Sequence, residues 1–194
     1  MKKSKADAHA TMQNLLELAR MHFTERGYAG ASMEELVAEA KVTRGALYHH
    51  FSSKKGLFEA VLEAVQFRVG ERVEAEASLS DDPWEQLLLG CRAFVTTAIE
   101  PEYRRILLID GPAVLGWEAW RRFDEAHVMH HLREQLELLQ DLGRLKPIPL
   151  DALTHFLSGA LNESVLWISQ HPDQPLHLED TMAVISEVLD GLKA

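Results

Sequence analysis

The residue types best suited to chemistry lie between Thr43 and Lys55. Arg44, Gly45, Ala46, Tyr48 and His49 fall on one side of a short helical run whose other side is Leu47 and Phe51. The guanidinium of Arg44 has the fork of donors that matches guanine O6 and N7. Gly45 and Ala46 carry almost no side chain, and Tyr48 and His49 are polar aromatics able to reach phosphate. Lys54 and Lys55 add positive charge beside the same surface. Together these groups suit the major groove of DNA. A second polar cluster, Asp124, His127, His130 and His131, has His127 and His131 one helical turn apart and Asp124 a turn before them. That spacing could hold a metal ion, but no further Cys or His spacing completes a ligand set, so no metal is expected. An enzyme built on Asp124, His127 and His131 is remote. No GxSxG elbow, GxGxxG or P-loop, HExxH or Cys–His pairing occurs, and no catalytic residue or cofactor is expected.

Local signals show how the first set is positioned. Ser32 is a good N-cap, and Glu35 three residues later predicts a capping box. Leu36 and Val37 form the apolar side of that helix, and Ala40 and Val42 close the turn. Thr43 then caps a second helix, and a third starts at Lys54. The motif runs from residue 32 to 51.

The leading helix carries Leu15, Leu16, Ala19, Phe23, Gly27 and Tyr28, followed by Ser32, Glu35 and Leu36. After the turn come Val42, Thr43, Gly45, Leu47, Tyr48, His50, Phe51, Lys54 and Leu57. In this single ungapped register, residues 7–68 resemble the DNA-binding domain of the tetracycline-repressor (TetR) family of bacterial regulators. The resemblance implies an all-α, nine-helix architecture with a three-helix head and a helical body. It implies that Ser32, Thr43, Arg44, Gly45, Tyr48, His49, His50 and Lys54 meet DNA, most of them through phosphates. Two residues depart from the family pattern. Lys41 replaces the usual turn glycine, which predicts a left-handed residue held at a cost of about 1–2 kcal/mol. Val37 replaces the usual alanine.

Composition agrees. Residues 1–56 carry nine Lys/Arg against six acids, a net of +3, whereas the whole chain carries −10, which leaves −13 for residues 57–194. A basic head on an acidic body is the footprint a nucleic-acid binder needs. No apolar run approaches 18 residues, the start MKKSKADAHA lacks the apolar stretch of a secretory signal, and there is one cysteine, Cys91. A cytoplasmic protein without membrane contact is expected.

The expected domains are therefore 1–56 for DNA binding and 57–194 for ligand binding and dimerisation. Breaks at 80–83, 100–101, 111–112, 146–149 and 171–172 predict helices over about 54–78, 83–99, 101–110, 113–142, 150–170 and 176–192. Large apolar side chains with a few polar groups predict an effector pocket lined by Phe94, Tyr103, Leu107, Trp117, Trp120, Phe123, His127, Asn162 and Trp167. Apolar stripes on the last two helices, with the small residues Ser158, Gly159 and Ala160, predict a two-fold four-helix interface. Its members would be Leu153, Leu157, Ala160, Leu161, Val165, Ile185 and Leu189. The sequence thus reads as a homodimeric repressor, released from a near-palindromic operator in double-stranded DNA by a small apolar or amphipathic effector. The alternative is a helical small-molecule binding protein with little DNA affinity.

Overall fold

The computed structural model describes residues 5–194, with side chains from Thr11 onward. The basic residues Lys2 and Lys3 lie outside the described residues. All described regular structure is helical: α1 (Lys5–Gly30), α2 (Met33–Glu39), α3 (Arg44–Phe51), α4 (Lys54–Ala77) and α5 (Pro83–Ile99) come first. α6 (Pro101–Arg104) runs through a π-helical turn, Arg105–Asp110, into α7 (Gly111–Leu115). α8 (Trp117–Ala126), α9 (Val128–Asp141), α10 (Leu150–Ile168) and α11 (Gln174–Asp190) complete the chain.

The chain forms two compact units, residues 1–65 with 101–120 and residues 66–100 with 121–194. In the first, Leu15, Ala19, Phe23, Leu36, Leu47, Leu57, Phe58 and Leu62 make the core, all essentially sealed from solvent. Phe23, Tyr28 and Phe58 pack their rings edge-on or stacked, with centroids 5.1–6.0 Å apart. The segment 101–120, which the sequence pattern assigns to the body, packs with α1. Arg20 donates to Glu17 (2.6 Å) and Glu102 (2.7 Å), and the Tyr28 amide donates to Asp110 (2.9 Å). In the second unit α5, α9, α10 and α11 pack on one another around Leu87, Val95, Leu136, Leu139, Val165, Ile168 and Leu189.

Three local expectations change. The helix expected over 113–142 breaks twice. Gly116 sits at φ 86°, a conformation that costs glycine little, and His127 at φ −123°, ψ −79° interrupts the ladder again. Conversely, Gly111-Pro112 does not break the chain, because Pro112 falls in the first turn of α7, where its missing N–H is no loss. The wide π turn before it closes through a Gly111 N–H bond to the Ile106 carbonyl. Finally, only half of the capping box forms. Ser32 Oγ accepts from the Glu35 amide (3.3 Å), but the Glu35 carboxylate turns to Arg26.

Both turns that bound α3 hold a non-glycine residue at positive φ, Lys41 at 53° and Ser52 at 59°. Such residues carry strain of about 1–2 kcal/mol. Lys41→Gly should therefore stabilise the protein by roughly 0.5–1 kcal/mol, read as a higher urea midpoint at unchanged m. Gly56→Ala should do the reverse by about 2 kcal/mol or more, because a Cβ there collides with the Phe51 carbonyl.

Candidate DNA interface and effector cavity

α3 is eight residues long, and only its buried side fixes it in place. Leu47 and Phe51 are buried, and Thr43 Oγ1 accepts from the Ala46 amide (3.1 Å), which closes the N-terminus. Opposite them, Thr43, Arg44, Gly45, Ala46, His49 and His50 are exposed and Tyr48 is half-buried. Nothing lies within 4 Å of the Gly45 side-chain position, so the backbone there is open to close approach. Arg44 lies over the Tyr48 ring at 5.4 Å and pairs loosely with Glu34 at 3.5 Å. Both partners of that pair are about two-thirds exposed, at 68% and 69%, so solvent screens it and the guanidinium is held by little. Lys54 is more committed. Its ammonium donates to the Ala29 carbonyl (3.2 Å) and sits 4.9 Å from the Tyr28 ring, which ties the start of α4 to the end of α1. Ser32, half-buried, spends its hydroxyl as the α2 cap.

The second unit contains a cavity of about 300 Å³ between α4, α5, α9 and α10. Its apolar wall includes Val73, Leu87, Cys91, Phe94, Met129 and Leu161. At its polar end Asp124, 3% exposed, accepts from Arg121 (2.7 Å), and the Ser158 hydroxyl lies 3.4 Å from the same carboxylate. Burial pushes the Asp124 carboxyl up to about 6, against the opposing pull of Arg121 and Ser158. Burial likewise pushes the Cys91 thiol up to about 12, which leaves it an inert wall residue. His131 packs against Gly70 of α4 and lines the cavity.

Of the pocket residues expected from sequence, Phe94 alone lines this cavity. Tyr103, Leu107 and Trp120 are buried in the other unit, where the Trp120 indole donates to the Leu107 carbonyl (2.6 Å). Trp117 is 61% exposed and leans on Trp120. Phe123 is half-buried away from the cavity wall. His127 meets the Phe67 ring edge-on, so the expected Asp124–His127–His131 grouping is split, and only Asp124 and His131 share the cavity. Asn162 donates to Ser158 at 3.5 Å without lining the cavity, and Trp167 packs with His171 and His177. Most of the large aromatics fill space rather than leave it, which is why they do not line this cavity. The readable signal was the i,i+3 pair Arg121–Asp124, a charge couple on a helix with an apolar side.

The interface residues expected from sequence also need correction. Leu153, Leu157, Leu161, Val165, Ile185 and Leu189 are buried within the subunit's own core, and only Ala160 of that set is exposed. The large outward apolar residues of α10 and α11 are Phe156, Trp167, Leu176, Val184 and Val188, with Phe156 and Val184 above 60% exposed.

A capped, open-faced α3 behind α2, on an all-α scaffold, defines a helix-turn-helix DNA-binding protein. Two family models cover most of the chain. Residues 15–61 match the tetR family of bacterial regulatory proteins, and residues 84–192 match the tetracyclin repressor-like C-terminal domain. The chain belongs to the TetR family and is a DNA-binding transcriptional regulator. It is 30% identical to the HTH-type transcriptional repressor AcnR of Corynebacterium diphtheriae over 177 residues, 90% of this chain and 89% of that one. A TetR-family transcriptional regulator from Pectobacterium atrosepticum superposes with a TM-score of 0.80 at 36% identity, over 99% of this chain and 98% of that one. RolR in complex with resorcinol shares the fold, with a TM-score of 0.73 at 20% identity over 96% and 90% of the two chains.

The buried carboxyl gives a stability prediction. In the unfolded chain Asp124 ionises in the ordinary carboxylate range, whereas the folded protein keeps its proton up to about pH 6. The folded state thus binds the proton more tightly, so stability from this group is present at low pH and falls as pH rises toward 6. Asp124→Asn cannot titrate. The stability of the parent relative to this variant should decline from about pH 4 to about pH 6 and level off above, followed by urea titration at each pH.

Proposed function

We propose that the protein is a homodimeric repressor that leaves its operator when a small molecule enters the body cavity. The observation that carries the DNA part is the outer face of α3. There an exposed Arg44, held only by a screened pair with Glu34 and the Tyr48 ring, stands beside Gly45, whose side-chain position has nothing within 4 Å. Arg44 reads a base, most simply guanine O6/N7, and Gly45 lets the helix approach the base edges. Thr43, Tyr48, His49 and His50 hold phosphates, with Ser32 and Lys54 at the margins of the footprint. The support for the effector part is the cavity with its buried Asp124, since a largely apolar chamber with a few oriented polar groups is what a small-molecule site needs. A relative of the same fold takes resorcinol, a ligand small enough for such a chamber.

Dimerisation uses the outward stripe of α10 and α11. Phe156, Ala160 and Trp167 recur at helical spacing on one face, and Val184 and Val188 do so on the other helix. An exposed apolar face of this kind on a soluble surface marks a contact site, and a two-fold contact places two heads on one duplex.

Two measurements test the reading. Arg44→Ala should cost roughly 1–3 kcal/mol on the selected operator and relax preference at one base pair, with a much smaller loss on random DNA. Equal losses on both would remove the base-reading role. Phe156→Glu with Val184→Glu should give folded monomers with little operator affinity by sedimentation and mobility shift. Leu161→Glu should instead lower thermal stability, since that side chain lies in the subunit core. Persistent dimers after the double change would place the interface elsewhere.

A further inference from the structure

The charges around the cavity narrow the chemistry of its ligand, given the reading of this cavity as the effector site. Its lining contains three acids, Glu74, Asp124 and Glu134, and no Lys or Arg. Arg121 offsets part of this by pairing with Asp124, and Glu134 lies 3.2 Å from His130. The contacts to Asp124 are one-sided. The Arg121 guanidinium and the Ser158 hydroxyl both address Oδ2, at 2.7 and 3.4 Å, and neither uses Oδ1. Asp124 lines the chamber, and a carboxylate oxygen there that takes nothing from Arg121 or Ser158 is met best by a ligand that brings both a hydrogen and a positive charge. An anion would enter against the excess of negative charge. A neutral donor would satisfy Oδ1 but leave the acids uncompensated. The rest of the wall is mainly apolar, with Gln86, His131 and Gln135 among its few further polar groups, so the body of the ligand must be mostly apolar.

We propose that the cavity binds a small amphipathic monocation, a protonated primary amine on a compact apolar body, with the ammonium donating to Asp124 and the body lying against Leu87, Phe94, Met129 and Leu161. Glu74, on α4, sits at the same chamber and biases the entering charge in the same sense.

The test uses three probes of one shape on the full chain, by isothermal titration calorimetry at pH 7.5: 4-butylbenzylamine, 4-butylbenzyl alcohol and 4-butylbenzoate. The amine should bind at least about tenfold more tightly than the alcohol, because its donor carries a full positive charge toward the carboxylate and the hydroxyl does not, and the benzoate most weakly. Asp124→Asn should cut the advantage of the amine over the alcohol to about threefold or less. Glu74→Gln, which leaves the Asp124 cluster intact, should reduce the advantage by a smaller factor. An alcohol that binds as well as the amine, or an amine advantage untouched by both variants, overturns the cationic assignment but leaves the cavity as an effector site. Failure of all three probes to bind overturns the assignment and removes support for the cavity itself.

Discussion

Everything the protein does at DNA depends on the burial of one face of an eight-residue helix. A helix that short is unstable alone, because nucleation costs more than two turns of hydrogen bonds return. α3 exists in its position because Leu47 and Phe51 enter the core made by α1, α2 and α4, and because Thr43 satisfies one of its first free amides, that of Ala46. The turns on either side, with Lys41 and Ser52 at positive φ, tolerate strain to aim the helix outward. Burial of two side chains thereby orients Arg44 and exposes the backbone at Gly45. The chemistry of the outer face is inherited from the packing of the inner one.

The body obeys a different constraint. Its helices pack tightly where Leu, Ile and Val interlock, and a chamber remains where α4, α5, α9 and α10 meet over smaller and more flexible side chains. Into that chamber the fold places a carboxylate whose burial must be offset. Arg121 and Ser158 supply that offset from within the chain. His131 touches both this chamber and Gly70 of α4. A ligand alters DNA affinity only insofar as it favours one arrangement of α4 over another.

The head was legible in sequence because its determinants are local. Caps at Ser32 and Thr43, the apolar spacing of Leu36, Leu47 and Phe51, and the positive φ at Lys41 all lie within twenty residues of one another. The body was less legible for two physical reasons. α10 is apolar on two sides, and periodicity cannot say which side meets its own subunit. Leu153, Leu157 and Leu161 turn inward, whereas Phe156 and Trp167 turn outward. A cavity, moreover, is defined by what fails to fill it, so a search for aromatics finds core instead. Trp120 is the example, sealed and bonded to a backbone carbonyl within the other unit. The single-residue breaks at Gly116 and His127 were likewise hidden within a run of continuous helical pattern.

The central claim is that two copies of this head read one duplex through α3. Hydroxyl-radical footprinting on a genomic fragment retained by the protein measures this directly. The account predicts two protected patches on one face of the DNA, related by approximate two-fold symmetry and centred about one helical turn, roughly 34 Å, apart or a multiple of it. A single protected patch, or uniform protection that vanishes with salt and ignores sequence, would contradict it.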